Sequence, residues 1–301
     1  MNAKLVSVAK IWDAAPHNAF TDLVRFKDKW FCTFREATGH VSGDGKARVI
    51  ASADGAVWSS VALIERSGCD LRDSKFCITP DNRLMMTVCR VSAKSYQSLT
   101  LFSGDGVEWS NETEVADPGF WLWRVTWNKK RAYGAGYGCA DTNKFIRIYA
   151  SDDGRKFTAL SANAYNRGYP NESTMVFLPD DTCLCVTRRD EDSKTAMLGK
   201  SKPPYADWAW SDLGRHIGGP NLLRLPDGRI VAGGRTEWGQ TALHWLNPDA
   251  GALTEFLQLP SGGDASYPGL VWRNDLLWVS YYSSHEQKTS IYLAKIELPA
   301  R

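Results

Sequence analysis

One short phrase recurs six times along the chain, and it restricts the fold more than any other feature. Two apolar runs of strand character flank a tight polar turn: Lys27-Asp28-Lys29, Pro80-Asp81-Asn82, Asn128-Lys129-Lys130, Pro179-Asp180-Asp181, Pro226-Asp227-Gly228 and Arg273-Asn274-Asp275. Successive turns lie about 50 residues apart, the period of a propeller or a similar array of multi-stranded units. Each unit has room for about four short strands, the size of one blade. The expectation is an all-β fold, a six-bladed β-propeller of four-stranded antiparallel blades, with residues 1–301 forming one domain. The 13 Trp, the 25 Gly and the frequent Val, Ile, Thr and Tyr suit strands and turns. No long stretch carries an apolar period of about 3.6, so almost no helix is expected. The last repeat, from Tyr267 on, supplies only three strands, whereas KLVSVAKIW (Lys4–Trp12) is an isolated strand before the first repeat. The N-terminal strand is therefore expected to complete the sixth blade, closing the ring and covering edges that would otherwise pair with other chains.

Charge and cysteine usage narrow the function. A net charge of +2 gives no reason to expect a nucleic-acid or membrane-surface partner. No apolar run reaches about 18 residues, so no membrane span is expected. The seven cysteines are odd in number, and Cys32, Cys77, Cys89, Cys183 and Cys185 sit within apolar strand patterns. They read as reduced, buried small hydrophobes rather than a disulfide framework or a zinc site. That places the chain in the cytoplasm, or outside the cell if a leader has been trimmed from it. The five histidines show no metal-ligand spacing. No Gly-rich loop follows a strand and opens a helix. No metal and no cofactor are expected.

The stretch Asn171–Asp190 reads as a hairpin whose start and finish are polar, so Glu172 and Arg188 should meet at the end away from the turn. Strand parity extends this to the whole ring. The start of each first strand and the finish of each second strand share one rim, and the strand one–two and three–four turns share the other. The functional rim then carries Asp22, Arg35, Glu36, His40 and Asp44 from blade one, and Asp70, Arg72, Asp73 and Arg90 from blade two. It carries Trp121, Trp123, Arg124 and Tyr137 from blade three, and Glu172, Arg188, Arg189 and Asp190 from blade four. Blades five and six add Asn221, Arg235, Glu237 and Trp238, then Ser266, Tyr267, Tyr281, Tyr282, His285 and Glu286. A polar bowl with aromatic walls over a propeller axis points to a glycan or small-molecule ligand.

Three of the opposite turns, Ser52-Ala53-Asp54-Gly55, Ser103-Gly104-Asp105-Gly106 and Ser151-Asp152-Asp153-Gly154, are each followed three residues later by Trp or Phe. They match the Asp-box pattern, with a worn copy at Ser201–Trp208. With the six-fold repeat they make the chain resemble the sialidase (neuraminidase) superfamily over essentially its whole length. The resemblance implies a retaining exo-glycosidase acting on a terminal acidic sugar. It implies Tyr267 as nucleophile, Glu172 as its base, and Arg188 and Arg235 in the substrate clamp. It places the general acid in the loop ATGHVSGDGK, which offers His40 and Asp44. One clamp member is missing, because the first strand begins Phe20-Thr21-Asp22-Leu23 with no rim arginine. Arg35, Arg72 and Arg124 are the candidates to replace it, Arg72 within the cluster Asp70-Leu71-Arg72-Asp73.

The chemistry is coherent. Guanidiniums bind a carboxylate in forked pairs. A neutral tyrosine avoids the repulsion an Asp or Glu nucleophile would meet at an anomeric carbon bearing a carboxylate. Tyr281, Trp238 and at most one of Trp121 and Trp123, which alternate in one strand, would contact the sugar. Two other functions stay open. One is a uronate-directed polysaccharide lyase, with Tyr267 or His40 moving the proton. The other is a non-catalytic propeller that binds glycan or protein.

Overall fold

The structure, a computed structural model, describes residues 3–92 and 95–300. Its 24 strands form six four-stranded antiparallel sheets arranged as the blades of a propeller. Blade one is His17–Phe26, Lys29–Ala37, Lys46–Ser52 and Ser59–Ile64; blade two is Asp70–Ile78, Leu84–Ser92, Ser95–Ser103 and Thr113–Val115. Blade three is Phe120–Asn128, Arg131–Gly138, Ile146–Ser151 and Thr158–Tyr165; blade four is Pro170–Phe177, Cys183–Arg189, Met197–Ser201 and Ala209–Asp212. Blade five is Gly218–Arg224, Ile230–Arg235, Thr241–Asn247 and Ala252–Gln258. Blade six is Ala265–Arg273, Leu276–Ser283, Ser290–Glu297 and, as its outermost strand, Lys4–Trp12. The expected closure by the N-terminal strand is present, with Lys4 opposite Glu297 and Trp12 opposite Ile291. The one helical element among the described residues is a single 3-10 turn, Asp141–Asn143.

Burial falls from the axis outward. The first strand of blade one is buried almost throughout, whereas its fourth, Ser59–Ile64, has no buried residue. Inner strands therefore lose the two-residue alternation that outer strands keep. Apolar faces of neighbouring blades meet and form the core. Trp30 of blade one stacks on Trp278 of blade six with centroids 4.3 Å apart, and Leu184, Val186 and Leu198 of blade four pack with Leu222, Ile230 and Ala232 of blade five. All seven cysteines are free.

The Ser-x-Asp-Gly turns pin blade to blade. In the first, Ser52 Oγ accepts from the Gly55 N–H at 2.8 Å, and Asp54 Oδ1 accepts from the Ala56 and Val57 N–H groups at 2.8 and 3.2 Å. Gly55 and Gly106 have φ of 76° and 80°. A Cβ on them would lie 2.5 Å from Trp278 and 2.3 Å from Phe31, each an aromatic of the neighbouring blade. Only glycine meets both demands.

Each inner strand also carries a β-bulge at the same height, between Ala19 and Asp22, Arg72 and Lys75, Leu122 and Arg124, Pro170 and Ser173, Gly218 and Asn221, and Ser266 and Gly269. A bulge re-aims side chains. Here it brings Phe20, Asp73, Trp123, Glu172, Gly219 and Tyr267 to one level around the channel. Phe20, Asp73, Gly219 and Tyr267 take φ of 64°, 56°, 60° and 51° there. Three of these four are not glycine, so backbone strain is concentrated at this level.

Candidate active site

The bulges of blades four, five and six converge on one carboxylate. Glu172, 6% exposed, has Oε2 held by Arg188 Nη1 at 2.9 Å and by the Gly219 N–H at 2.7 Å. Its other oxygen accepts a short hydrogen bond from the Tyr267 hydroxyl. Arg188 is braced by Asp190, which accepts from its Nε at 2.8 Å. The Glu172–Arg188 contact is the one the hairpin predicts. Burial alone would raise the Glu172 pKa, but Arg188 and the Tyr267 hydrogen bond hold it below the ordinary value, so Glu172 is ionised. Burial, then the adjacent Glu172 charge, pushes the Tyr267 hydroxyl well up, so it stays protonated. The pair is a proton donor already resting on its base.

Aromatic rings enclose Tyr267. Phe20 lies edge-on at 5.0 Å, Trp123 at 5.3 Å and Tyr282 at 5.7 Å. Beneath them the Lys75 ammonium sits 5.3 Å from both the Tyr267 and Trp123 rings. It donates to the Thr21 and Phe20 carbonyls at 2.9 and 3.3 Å. Burial, followed by the Arg124 charge, lowers its pKa to about 8. Asp73 lies at the Tyr267 level on the second blade, with Oδ1 buried and unpartnered. Burial pushes its carboxyl up to about 6, against the pull of Arg72 and Lys75.

The structure departs from several expected positions. Arg35 is fully buried, forked onto Asp70 at 2.6 and 3.0 Å and bonded to the Gly39 carbonyl at 2.8 Å, so it secures the loop and does not face the bowl. Arg124 forks onto Asp22 at 2.9 and 3.2 Å inside the channel, below the Tyr267 level. Both arginines were expected on the rim, but buried carboxylates draw them inward, Arg35 to the next blade and Arg124 across the channel to blade one. Tyr281 is also buried, its hydroxyl on the Pro260 carbonyl at 3.0 Å; strand alternation sends Tyr282 to the site instead. Asp44 is spent on its own loop, accepting from Ser42 and from the Thr38 N–H at 3.2 Å. The Ser42 hydrogen bond lowers its pKa, the wrong direction for a general acid. Trp121 and Trp123 are both buried, and Trp238 is exposed.

Arg72, His40 and Arg235 do reach the site. Arg72 lies over the Phe20 ring at 5.1 Å and donates to the His40 carbonyl at 2.9 Å and to Asp70 at 3.3 Å. Arg235 has one weak hydrogen bond among the described residues, to the Ala265 carbonyl at 3.4 Å, and its charge opposes the rise in the Tyr267 pKa. His40 stands edge-on to Phe20 at 5.1 Å. Its Nδ1 meets Asp264 Oδ2 at 2.7 Å, and His17 Nε2 meets the same oxygen at 2.8 Å. Tyr282 donates to Asp264 Oδ1 at 3.0 Å. These three metal-capable atoms lie within 4.8 Å of one another. His17 Nδ1, however, is buried without a partner. A metal-ligating histidine usually donates its other ring N–H to a partner that fixes the ring, and His17 has none among the described residues.

Phe20, Lys75, Gly219, His17 and Asp264 were not singled out by the sequence. A signal existed for Gly219: Gly219-Pro220 stands in blade five where Tyr267-Pro268 stands in blade six, each at the bulge.

The chain thus has the fold of a six-bladed propeller with a polar constellation around Glu172 at the axis. No family model matches the sequence, and no curated protein matches it. Solved structures do match the fold. A protein of unknown function from Dyadobacter fermentans superposes with a TM-score of 0.87 at 18% identity, covering 99% of this chain and 100% of that one. An α-L-arabinofuranosidase from Fusarium graminearum in complex with an iminosugar inhibitor gives 0.77 at 14% identity, covering 97% of each chain. A Trypanosoma rangeli sialidase in complex with the inhibitor DANA gives 0.71 at 12% identity, covering 97% of this chain and 59% of that one. At these identities the likeness establishes the fold, which is common to sialidase and arabinofuranosidase propellers.

Proposed function

We propose that this protein is a retaining glycoside hydrolase that removes a terminal sugar at the Glu172–Tyr267–Arg188 site. The observation that carries the reading is the buried, ionised Glu172 bonded at once to the Tyr267 hydroxyl and the Arg188 guanidinium. Asp73 takes the role of general acid in place of Asp44. A carboxyl raised to about 6 still carries part of its proton near neutrality and has an unused oxygen to donate it from. The acid protonates the departing glycosidic oxygen, the nucleophile closes on the anomeric carbon, and water then releases the sugar as the acid takes back a proton.

The arginine inventory favours a sugar without a carboxylate on the anomeric carbon. Arg35 and Arg124 are each neutralised by a buried aspartate, and Arg188 is shared between Glu172 and Asp190. With a neutral sugar nothing repels a carboxylate nucleophile, so Glu172 attacks and Tyr267 orients it. The fold neighbours described as α-L-arabinofuranosidases, covered over 97% of their length in the iminosugar complex, agree with this. A second reading rests on Arg235, which has no carboxylate partner among the described residues. It would accept an acidic sugar such as sialic acid, with Tyr267 as nucleophile and Glu172 as base.

The test is release of 4-methylumbelliferone from its α-L-arabinofuranoside and α-sialoside, with Glu172→Gln and Tyr267→Phe run beside the native chain. The expected result is arabinofuranoside turnover that E172Q reduces on the order of 10⁴-fold and Y267F less, on the order of 10²-fold. Sialoside turnover abolished by Y267F would transfer the assignment to the acidic reading. No turnover of either, nor of a wider aryl glycoside panel, would overturn the hydrolase assignment.

A further inference from the structure

The channel continues past Lys75 and the Asp22–Arg124 pair. It opens on the opposite face, that of the Ser-x-Asp-Gly turns, into a cavity of about 810 Å³ walled by the inner strands of all six blades. Four side-chain polar atoms of its lining residues are buried and unpartnered, Arg25 Nε, Arg124 Nε, Trp127 Nε1 and Thr174 Oγ1, and Arg124 and Thr174 are the pair on the inner side. Thr174 is 1% exposed and Arg124 9%. Buried donors without acceptors are rare, and where they line a cavity they mark a place for a guest. The charge of the wall is one-sided. It presents Arg25, Arg124, Arg224 and Arg273 against one carboxylate, Asp22, which Arg124 already chelates. Arg224 and Arg273 make no side-chain hydrogen bond or ion pair among the described residues. Of the acids on the surrounding turns, four are engaged elsewhere, Asp81 with Arg83 at 2.7 Å, Asp180 with Lys202 at 3.0 Å, Asp181 with Lys129 at 2.8 Å and Asp227 with Arg229 at 2.7 Å, while Asp28 and Asp275 lie on the turns next to Arg25 and Arg273.

We propose that this cavity is a second binding site, for a small polyanion carrying two or more carboxylate or phosphate groups. One anionic group sits deep, accepting from Arg124 Nε and Thr174 Oγ1. A second lies at the mouth between Arg224 and Arg273, where planar guanidiniums suit either oxyanion. A single small anion would reach one level and leave the other unmet, so the ligand has at least two charges set apart along the axis. The site faces away from Glu172 and Tyr267, and it stands whether or not the hydrolase reading holds.

Isothermal titration of the full chain at pH 7 and low salt, with citrate and with inorganic pyrophosphate as probes and glucose as the neutral control, tests this. The expected result is saturable one-to-one binding of at least one polyanion and none of glucose; the stronger of the two identifies the oxyanion class. The double variant Arg224→Gln/Arg273→Gln, altered only at the mouth, should weaken it by about tenfold or more. Thr174→Val, which keeps the shape and removes the unpartnered hydroxyl, should weaken it severalfold. Glu172→Gln should leave it unchanged. Absence of saturable binding, binding indifferent to the mouth variant, or binding lost in E172Q would each overturn the proposal.

Discussion

Asp73 is an acid that folding weakens. Its carboxyl rises to about 6 in the folded chain because burial removes water from it. An unfolded Asp titrates at about 3.9. Between those values the folded protein keeps a proton that the unfolded chain has released. Stability owed to this residue therefore falls as pH rises from about 4 to 6, by roughly 3 kcal/mol. Asp73→Asn removes that slope. Urea unfolding at pH 4 and pH 7 should show the variant losing less stability, or gaining more, across the interval than the native protein by about that amount. Identical changes in the two proteins would mean that Asp73 does not hold its proton. Under the proposed mechanism the same titration sets the basic limb of the kcat/KM profile, which the variant loses. The sequence could not distinguish Asp73 from Asp44. Both sit in polar clusters at strand ends, and what separates them is burial at a bulge for one and a self-satisfied loop for the other. Glu172 and Arg188 were legible because a single hairpin brings them together. The Arg35–Asp70 and Arg124–Asp22 pairs were not, because each crosses between blades, where strand periodicity carries no information.

At the scale of the element, the Ser-x-Asp-Gly turn and the inner-strand bulge differ in how plainly the sequence writes them. The turn demands particular residue types, so three copies could be read directly. The bulge demands none: Phe20, Asp73 and Tyr267 adopt positive φ with ordinary side chains, held there by the ring around them. The second turn offers a clean internal comparison. Gly106 has φ of 80° and a Cβ there would meet Phe31 at 2.3 Å, whereas a Cβ at Gly104, two residues earlier, would meet nothing within 4 Å. Gly106→Ala should therefore destabilise the protein by about 2 kcal/mol or more, combining backbone strain with overpacking. Gly104→Ala should stay within about 0.5 kcal/mol of the native chain. Thermal melts of the pair decide it, and equal shifts would mean that the turn is not what locks blade two onto blade one.

The whole ring depends on one junction made without a covalent link. Lys4–Trp12 lies along Ser290–Glu297, and its last residue reaches past blade six into blade one, where Trp12 Nε1 donates to Glu36 Oε1 at 2.6 Å. Arg48, itself bonded to Glu36 at 2.8 Å, lies over the Trp12 ring at 5.7 Å. The strand thus completes one sheet and staples it to the next. This closure was legible from counting strands: the last repeat was one short and the chain began with one to spare. Its energetic role follows from what its loss would uncover. Ser290–Glu297 is buried along nearly its whole length, and without its partner it becomes a long apolar edge at the seam of the ring. Deletion of the segment through Trp12 should lower Tm by on the order of 10 °C and produce oligomers by edge pairing, read by thermal melt and size-exclusion chromatography. Trp12→Ala should leave the strand paired and the protein monomeric, with a smaller loss of Tm, since it removes the staple alone. The Glu172–Tyr267 contact joins blades four and six through a ring held shut at the blade six–blade one seam. Loosening that seam should therefore reduce activity at temperatures where the truncated chain is still folded, and a truncated monomer with native Tm and native turnover would show that the six blades hold together without it.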